Sequence, residues 1–515
     1  MRPLPKRDPN PSPPVDNLPR WPAPAPARNP WHPIVLVFLP FASGYYLSYL
    51  FRTINALIAH PLAAEFHLRP ADLGLLTSAY FLGFGLSQLP FGSLLDRYGP
   101  RRVQSAFLLL AAAGAAVFAA ASGLTALMAG RTLIGLGVAG ALMAGLKAIT
   151  IWFPKERIAL ANGWFIMLGA LGAVSATVPA EMLLAQIGWR HLFALLAVLS
   201  VVSSAVIFVI VPERRAQAAA LTAPQPMNLR SIFADAMFWR LAPLSATCIG
   251  TAWALQGLWA APWLADVDRL PQTIIVRHLF VMAVALSAAA LGLGVCADRL
   301  RRRGVSLNAL LMIACGAGLA AQLGLVIQAP GLSYLLWATI GGLGAVTVLS
   351  YAILAEAFPP ESTGRANGAL NLLHVTYAFV VQSTVGVIVQ HWTPRDGHYP
   401  AIAYQTALAV NLAIQMTALI WFARPARRPA APTLTAHPLH QAAHRWPHSS
   451  PQAVIGYQRA IKTWDAHLNA ARLQARWWRL AAIGSVTVAV ILTAAVLSAS
   501  TTIAVAPYPV AAEIE

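Results

Sequence analysis

One arginine in the first apolar segment of the sequence stands among aromatic and amide side chains at helical spacing. Tyr45 and Tyr49 precede Arg52 by seven and three residues, and Asn55 follows it by three. On a helix these side chains share one face. A guanidinium offers a fork of donors to a carboxylate or phosphate, and the tyrosines add hydroxyls and ring faces. The stripe predicts a binding site for a small anion; the alternative is that Arg52 extends toward the lipid headgroups.

A second group of polar and aromatic side chains lies in the second half of the chain. Trp253 and Gln256 are three residues apart, and Asn371, His374 and Tyr377 follow one another at the same spacing. Each set therefore lies on one helix face. Rings and amides that converge on a concave surface are typical of small-molecule sites. These residues are predicted to form the other wall of the site.

Titratable side chains are scarce inside the apolar segments. No Asp or Glu lies in the middle of one, so a coupling proton on a buried carboxylate is not expected. His374 is the one group well inside a segment that titrates near physiological pH. It is predicted either to carry a proton or to hydrogen-bond with a neighbour.

The composition limits the kind of protein that can present these residues. Of 515 residues, 58% are hydrophobic and only 10% are charged, whereas soluble domains carry roughly 25% charged residues. This excludes a soluble enzyme. The net charge of +18 does not indicate a nucleic-acid partner, because the basic residues form short clusters between apolar runs rather than one basic surface. Neither the cysteines nor the histidines have a convincing ligand spacing, so no disulfide, metal or cofactor is expected.

Apolar runs of about twenty residues, the length that crosses a bilayer as a helix, divide the chain. Twelve are predicted, in two sets of six. They lie near residues 33–58, 73–95, 103–121, 126–149, 161–183 and 191–211, and near 239–264, 275–297, 306–328, 332–355, 367–390 and 404–423. The sequence therefore predicts an all-α membrane protein built from two six-helix bundles. The predicted divisions are a disordered Pro-rich tail (1–32), the first bundle (33–211), a linker (212–238), the second bundle (239–424), a Pro- and His-rich linker (425–456), and an extra helix with one further span and a short end (457–515).

The basic residues orient these spans. Alternate loops carry clusters such as Arg97, Arg101 and Arg102, and basic loops stay on the cytoplasmic side. The N-terminus is therefore predicted in the cytoplasm, and the thirteenth span would place the C-terminus in the periplasm. Trp259 and Trp263 are predicted to belong to the aromatic belt at the outer membrane interface.

Two pairs of matching segments indicate an internal repeat. GSLLDRYGPRR from Gly92 resembles GVCADRLRRRG from Gly294, and FPKERIALANG from Phe153 aligns without a gap on FPPESTGRANG from Phe358. The two pairs have nearly the same separation in the chain, which indicates duplicated halves. In transporters built this way the substrate lies between the halves near the bilayer midplane.

The segment from Gly92 resembles the loop signature of the major facilitator superfamily, and the Gly294 segment resembles its second copy. The resemblance covers about residues 33–424. It implies that Gly92 permits close helix approach and that Asp96 faces a helix N-terminus or a basic partner. Arg97 and Arg101 would then anchor the cytoplasmic gate.

In the second copy, the resemblance makes Asp298 and Arg299 the corresponding gate residues. The pattern departs at Pro100, where a basic residue is usual, and at Arg301, where a glycine is. Arg131, in RTLIGLG, resembles the arginine of the family's fourth-helix motif. This motif is tied to proton coupling or to the structure of the gate.

The YLFR run around Arg52 is similar to organophosphate/phosphate antiporters and organic anion transporters, whose first-helix arginine meets the anion. The seventh span has no basic residue beyond Arg240 at its start, so a two-arginine phosphate clamp is not expected. The resemblance implies a monomeric secondary transporter in a bacterial inner membrane, which carries a small organic anion with or without a coupled proton or ion. Drug or metabolite efflux is the alternative among transporters, although the fifth span lacks the Gly-Pro pair of proton-driven drug exporters.

Residues 457–510 resemble the start of the bitopic inner-membrane subunit of conjugative (type IV) secretion systems. A different hypothesis follows from this segment: a membrane scaffold or receptor attached to a transfer machine, with no transport of its own.

Overall fold

The computed structural model describes residues 33–212 and 229–424, and in these ranges every regular element is a helix. The predicted N-terminal tail, most of the central linker and the predicted extra C-terminal span lie outside the described residues. Nine of the described helices are long and apolar enough to cross a membrane. The chain is thus an all-α, multi-pass membrane protein.

Apart from the short helix Leu229–Phe233, the described helices form twelve rods. In the first half they are α1 (Ile34–Phe38, Leu39–Thr53 and Asn55–Phe66), α2 (70–98), α3 (100–119), α4 (Leu124–Val138 and Ala141–Trp152), α5 (Lys155–Ser175 and 178–187) and α6 (189–210). In the second half they are α7 (Ala236–Ala254, Leu255–Trp259 and Ala260–Asp266), α8 (Gln272–Arg302), α9 (Leu307–Val326), α10 (Ser333–Leu343, Gly344–Val346 and Thr347–Ala357), α11 (Pro360–Val389) and α12 (Ala401–Ala423).

Two of the reversals between rods contain a single glycine each. Helical structure continues on both sides of Gly99, between α2 and α3, and of Gly188, between α5 and α6. Their φ angles are +79° and +72°, which an L side chain rarely adopts. Glycine at these positions lets the chain turn back without a loop.

The helix breaks recur at corresponding places in the two halves. The first rod of each half, α1 and α7, consists of three pieces, with a junction at Ile54 in α1 and a wide turn at Leu255–Trp259 in α7. The fourth rods, α4 and α10, are also interrupted near their middles. These shared breaks agree with the repeat read from the sequence. Broken helices also free backbone groups where substrates bind in transporters of repeated design.

The two halves meet most closely at one end of the bundle. We call the end with Arg97–Arg102 and Arg299–Arg303 the arginine-rich end, and the other the opposite end. Near the opposite end, the Oγ atoms of Ser78 on α2 and Ser383 on α11 are 2.7 Å apart, and a Cβ on Gly74 would lie 2.4 Å from the Gln382 carbonyl oxygen.

The face of α2 that packs against α11 near the opposite end makes fewer contacts nearer the arginine-rich end. Gly74, Gly85 and Gly92 are separated by three and two helical turns, so they share a face. A Cβ built on Gly74 would lie 2.4 Å from Gln382, and one built on Gly85 would lie 3.5 Å from Val375. One built on Gly92 would have no neighbour within 4 Å. The helices α2 and α11 therefore diverge, and the cleft between the halves widens toward the arginine-rich end.

Candidate functional site

Aromatic side chains from both halves surround Arg52 near the middle of the bundle. We call the group on α1, α7, α10 and α11 the central cluster; it consists of Tyr45, Tyr49, Arg52, Trp253, Gln256, Tyr351 and His374. The junction in α1 lies two residues beyond Arg52, and the wide turn in α7 includes Gln256. The breaks in the two rods thus bring the cluster together at the level where the halves meet.

The guanidinium of Arg52 lies between two aromatic rings. Its Cζ lies 4.1 Å from the centre of the Tyr49 ring and 4.7 Å from that of Trp253. Tyr49 belongs to the first half and Trp253 to the second, so this cation spans the interface between them. Its Nη2 is buried and has no hydrogen-bond partner among the described residues. A buried charged donor without a partner is costly, and an anionic ligand would satisfy it.

Tyr45 packs next to Tyr49 and so supports this site. Its ring stacks on Phe165 of α5, with the centroids 5.1 Å apart, and meets Tyr49 edge to face at the same distance. A Cβ on Gly169 would lie 2.3 Å from the Tyr45 ring, so this glycine makes the space that the ring fills. Tyr45 therefore fixes the position of Tyr49, which contacts Arg52.

The second half contributes another donor without a partner and a histidine. Gln256 is buried, and its Nε2 makes no hydrogen bond to the described residues. The His374 ring meets Trp253 edge to face at 5.9 Å and stacks on Tyr351 at 6.3 Å. Trp253 therefore contacts both Arg52 and His374. The cluster combines one fixed positive charge, amide and hydroxyl groups, and several ring faces, which suits a small anion with an apolar or hydroxylated body.

Arg131 on α4 has a different environment, inside the first half. It is fully buried; Nη1 donates to the Phe51 carbonyl oxygen at 3.0 Å, and Nη2 donates to Asn55 Oδ1. Asn55 in turn donates to Thr77 of α2. Phe51 and Asn55 lie on either side of the α1 junction. Arg131 therefore connects this junction to α4, and Asn55 connects it to α2. These contacts indicate a structural role, and the predicted gating role of Arg131 stays a prediction.

A comparison with family models assigns this architecture. The model of the Major Facilitator Superfamily matches residues 41–381, more than half of the chain. The chain belongs to the major facilitator superfamily. Membership points to a transporter of small solutes rather than to an enzyme.

Curated relatives in the superfamily match a shorter part of the chain. An uncharacterized transporter of Bacillus subtilis, YybO, is 32% identical over 155 residues, which are 30% of this chain and 36% of the relative. A probable L-galactonate transporter of Escherichia coli K12 is 30% identical over 156 residues, which are 30% of this chain and 34% of the relative. The chain thus spans about a third of the length of the curated relatives it matches.

Solved structures align with a larger share of the chain. A bacterial homologue of the human lysosomal transporter Spinster, in an inward-facing and unoccupied conformation, aligns with a TM-score of 0.63 and 16% identity. The alignment covers 77% of this chain and 97% of that one. At this level of identity the likeness concerns the fold.

At the arginine-rich end, the superfamily signature forms contacts within the first half. Lys147 on α4 donates to Asp96 Oδ1 at 2.6 Å and to the Leu95 carbonyl oxygen at 3.0 Å. Arg101 donates to the carbonyl oxygen of Phe208 near the end of α6, at 2.8 Å. Asp96 on α2 therefore pairs with Lys147 on α4. Whether these residues gate transport stays a prediction.

The second half has an ion pair between the corresponding helices, with the charges exchanged. Arg301, which stands where the superfamily pattern has glycine, pairs with Glu356 of α10 at 2.8 Å. Arg299 is exposed, and Arg97 lies over the ring of Tyr98 at 5.2 Å. The side chain of Asp298 lies outside the described part of the structure. Gate roles for Arg97, Asp298 and Arg299 likewise remain predictions.

The opposite end carries a matching pair of carboxylates. Glu65, near the end of α1, accepts hydrogen bonds from Trp189 and Arg190 at 2.8 and 2.6 Å. Asp266, at the end of α7, contacts His398 at 2.9 Å and accepts from Tyr404 at 2.6 Å. Each carboxylate thus ties the first rod of its half to the last rod, and Asp266 also contacts the segment that precedes α12.

Tyr399 lies where the halves adjoin at this end. Burial raises the pKa of its hydroxyl, the Asp266 carboxylate raises it further, and the charge of Arg69 opposes both. Arg69 belongs to the first half and Tyr399 to the second. The two side chains are thus within electrostatic range of each other across the halves.

Two predicted site residues differ from the others in their surroundings. The Tyr377 hydroxyl donates to Asn411 of α12 at 2.9 Å and so turns into the interior of the second half. Asn371 is half-buried, one turn before His374. Their roles in binding stay predictions, and for Tyr377 the contact with Asn411 favours a structural one.

The expectation of an outer aromatic belt is wrong for two tryptophans. Trp259 and Trp263 are each only 2% exposed, and Trp263 packs against Trp337 and Tyr404. Trp259 lies in the wide turn of α7, and Pro262 directly precedes Trp263. The rings therefore fill the interior at the opposite end instead of facing lipid.

Sequence reasoning also missed part of the site. Tyr351 stacks on His374, and Ser245 and Ser350 complete a chain of hydrogen bonds to it. Ser245 lies on α7, three turns before Gln256, whereas Tyr351 and Ser350 lie on α10, where no site residue was predicted.

Proposed function

We propose that this protein is a secondary active transporter in a bacterial inner membrane, which carries a small organic anion by alternating access. The observation that carries the proposal is Arg52: a cation between rings of both halves, with a buried Nη2 that has no partner among the described residues. Its position lets an anion contact both halves at once, as a substrate must if its binding is to drive their rearrangement.

The number of cations bears on the class of anion. Arg131 is engaged with Asn55 and Phe51, so Arg52 is the charged donor of the central cluster. One guanidinium matches one carboxylate, and the surrounding amide, hydroxyl and ring groups match a short organic body. The probable L-galactonate transporter among the relatives carries this kind of substrate by name, which supports the proposal.

The test is counterflow in proteoliposomes that contain the full-length protein. Vesicles preloaded with unlabelled L-galactonate or D-glucuronate should accumulate the radiolabelled anion. Arg52→Lys keeps the charge but loses the fork. A charge-assisted hydrogen bond contributes about 1.5–3 kcal/mol, so the initial rate at low substrate should fall at least about tenfold.

Arg190→Lys is the matched control, because Arg190 forms an exposed pair with Glu65 far from the cluster. It should transport at the rate of the unmodified protein. An Arg52→Lys variant with unaltered kinetics would remove the anion site from the proposal, and absence of counterflow with either anion would count against the substrate class.

A further inference from the structure

A groove opens on the outer surface of the second half, between α8 and α9, which both pack on α10. Its volume is about 310 Å³, and its lining includes Ala289, Gly292 and Leu293 of α8, Ala314 of α9, and Gly342 and Val346 of α10. A Cβ built on Gly292 would have no neighbour within 4 Å. The adjoining Leu291 and Ile313 are 46% and 59% exposed, so the groove faces the lipid. We call it the small-residue groove.

The first half fills the corresponding place with two of its own rings. The match between the two repeat segments aligns Phe91 of α2 with Leu293, and Phe107 of α3 with Ala309. The two rings meet edge to face with their centroids 4.9 Å apart. The smaller side chains of the second half leave this space open, and the side chains around an unfilled space lose dispersion contacts. The groove thus offers a place for a component that binds to the second half.

The described chain ends close to this groove. The last helix, α12, is bonded to α9, since Gln415 donates to Gln322 Oε1 at 2.7 Å and Gln405 donates to the Val326 carbonyl oxygen at 2.7 Å. The helix α9 therefore lies next to α12 and forms one wall of the groove. Residues 425–480 follow α12, and even an unstructured linker of this length would span roughly 40 Å. The sequence beyond residue 480 can therefore reach the groove.

The apolar run 481–498, which the sequence predicts to cross the membrane, has a face of small residues. These occur at every fourth position, as Ala481, Ser485, Ala489 and Thr493, so on a helix they share one face. Helices associate in lipid through small residues that let their backbones approach. Basic residues, the last of them Arg479, precede the run, so it would enter the membrane from the arginine-rich end.

We propose that residues 481–498 dock in the small-residue groove and attach the C-terminal extension of the chain to the second half. These residues lie outside the described part of the structure. The groove supplies the open space at Gly292, and the run supplies the small face that lets a helix approach it. All three helices of the groove belong to one half, so the docked segment moves with that half and leaves the cleft free to open and close. The inference does not depend on which solute is carried.

The test is a disulfide between the run and a native cysteine. Cys296 is exposed and lies one turn beyond Gly292 on the same face of α8. It is three residues from Arg299, and Ala481 is two residues from Arg479, so the two positions have a similar depth. In membranes that contain the full-length protein, mild oxidation of Ala481→Cys should join it to Cys296.

A protease site placed in the linker 425–456 makes the product visible. After cleavage, the two fragments should migrate together without reductant and separate with it. Ile483→Cys is the matched control, because it lies at nearly the same depth on the other side of the predicted helix, and it should give little product. Ala481→Cys combined with Cys296→Ser should give none.

A second pair of variants tests the groove itself in the Ala481→Cys background. Gly292→Leu places a side chain in the open space of the groove, so most of the cross-linked product should be lost. Gly316→Leu is the control, since a Cβ there would also have no neighbour within 4 Å but points away from Ala314 on α9. It should leave the amount of product unaltered.

Each contrary outcome names another occupant of the groove. A product that joins two differently tagged chains would assign the groove to a second copy and overturn docking within one chain. Absence of product from both Ala481→Cys and Ile483→Cys would leave the groove to lipid and overturn the inference. Product that persists undiminished in Gly292→Leu would show that the run docks elsewhere. None of these readouts requires transport, so failure of this inference leaves the proposed function untouched.

Discussion

Arg131, which is buried, and Arg52, which is half-buried, differ in the groups that they contact. Arg131 is enclosed by Phe118 and Phe193 and donates to Asn55 and the Phe51 carbonyl oxygen. Among the described residues, the Arg52 guanidinium contacts the rings of Tyr49 and Trp253. The sequence identified both arginines and predicted that Asn55 shares the polar stripe of Arg52. It gave no means of assigning Asn55 to Arg131, because that depends on the break in α1 and on how close α4 approaches.

Replacing Arg131 should therefore cost stability. Arg131→Met has a similar volume but leaves Asn55 Oδ1 and the Phe51 carbonyl oxygen without their donor, so we expect a loss of about 2–3 kcal/mol. The measurement is thermal unfolding of the detergent-purified protein. Arg52→Met is the matched variant and should unfold near the temperature of the unmodified protein. The opposite ranking of the two melting temperatures would show that the roles are reversed.

At the scale of helices, α2 and α11 act as a pair that is close at one end and apart at the other. Ser78 and Ser383 form a hydrogen bond where the two helices are close. Gly92 faces open space where the helices diverge. The sequence motif predicted close approach at Gly92. That approach does not occur in this state, and we expect it in the state that is closed at the arginine-rich end.

Glycine substitutions should shift the balance between the two states in opposite directions. A methyl group at Gly74 would collide with the backbone of Gln382, so Gly74→Ala should favour opening of the opposite end. Gly92→Val should hinder closure of the arginine-rich end and favour the present state. The measurement is maleimide labelling of a cysteine at position 383, with exposed Cys296 replaced by serine.

Labelling should rise in Gly74→Ala and fall in Gly92→Val. Gly85→Ala is the control and should leave labelling unaltered, since its new Cβ would make ordinary contacts with Val375 and Leu372 at 3.5 and 3.6 Å. Equal labelling in all three variants would mean that α2 and α11 do not control access.

At the scale of the whole molecule, most of the fold was predictable because lipid imposes length and polarity on every crossing segment. The two sets of six spans and the repeat followed from apolar length and from the matched Gly92 and Gly294 segments. The breaks did not follow, since the packing of neighbouring helices decides where α1, α4, α7 and α10 are interrupted. These breaks place Arg52 against Trp253 and bury Trp259 and Trp263. The site was therefore less predictable than the fold.

The central claim is that the two halves move against each other, with the opposite end closed in this state. The most direct test is a disulfide between Ser78→Cys and Ser383→Cys, at positions whose side-chain oxygens are 2.7 Å apart across the halves, with Cys296 replaced by serine. Oxidation should stop counterflow and reduction should restore it, while either single variant should be insensitive to oxidant. Complete formation of the disulfide with undiminished counterflow would contradict alternating access between these halves.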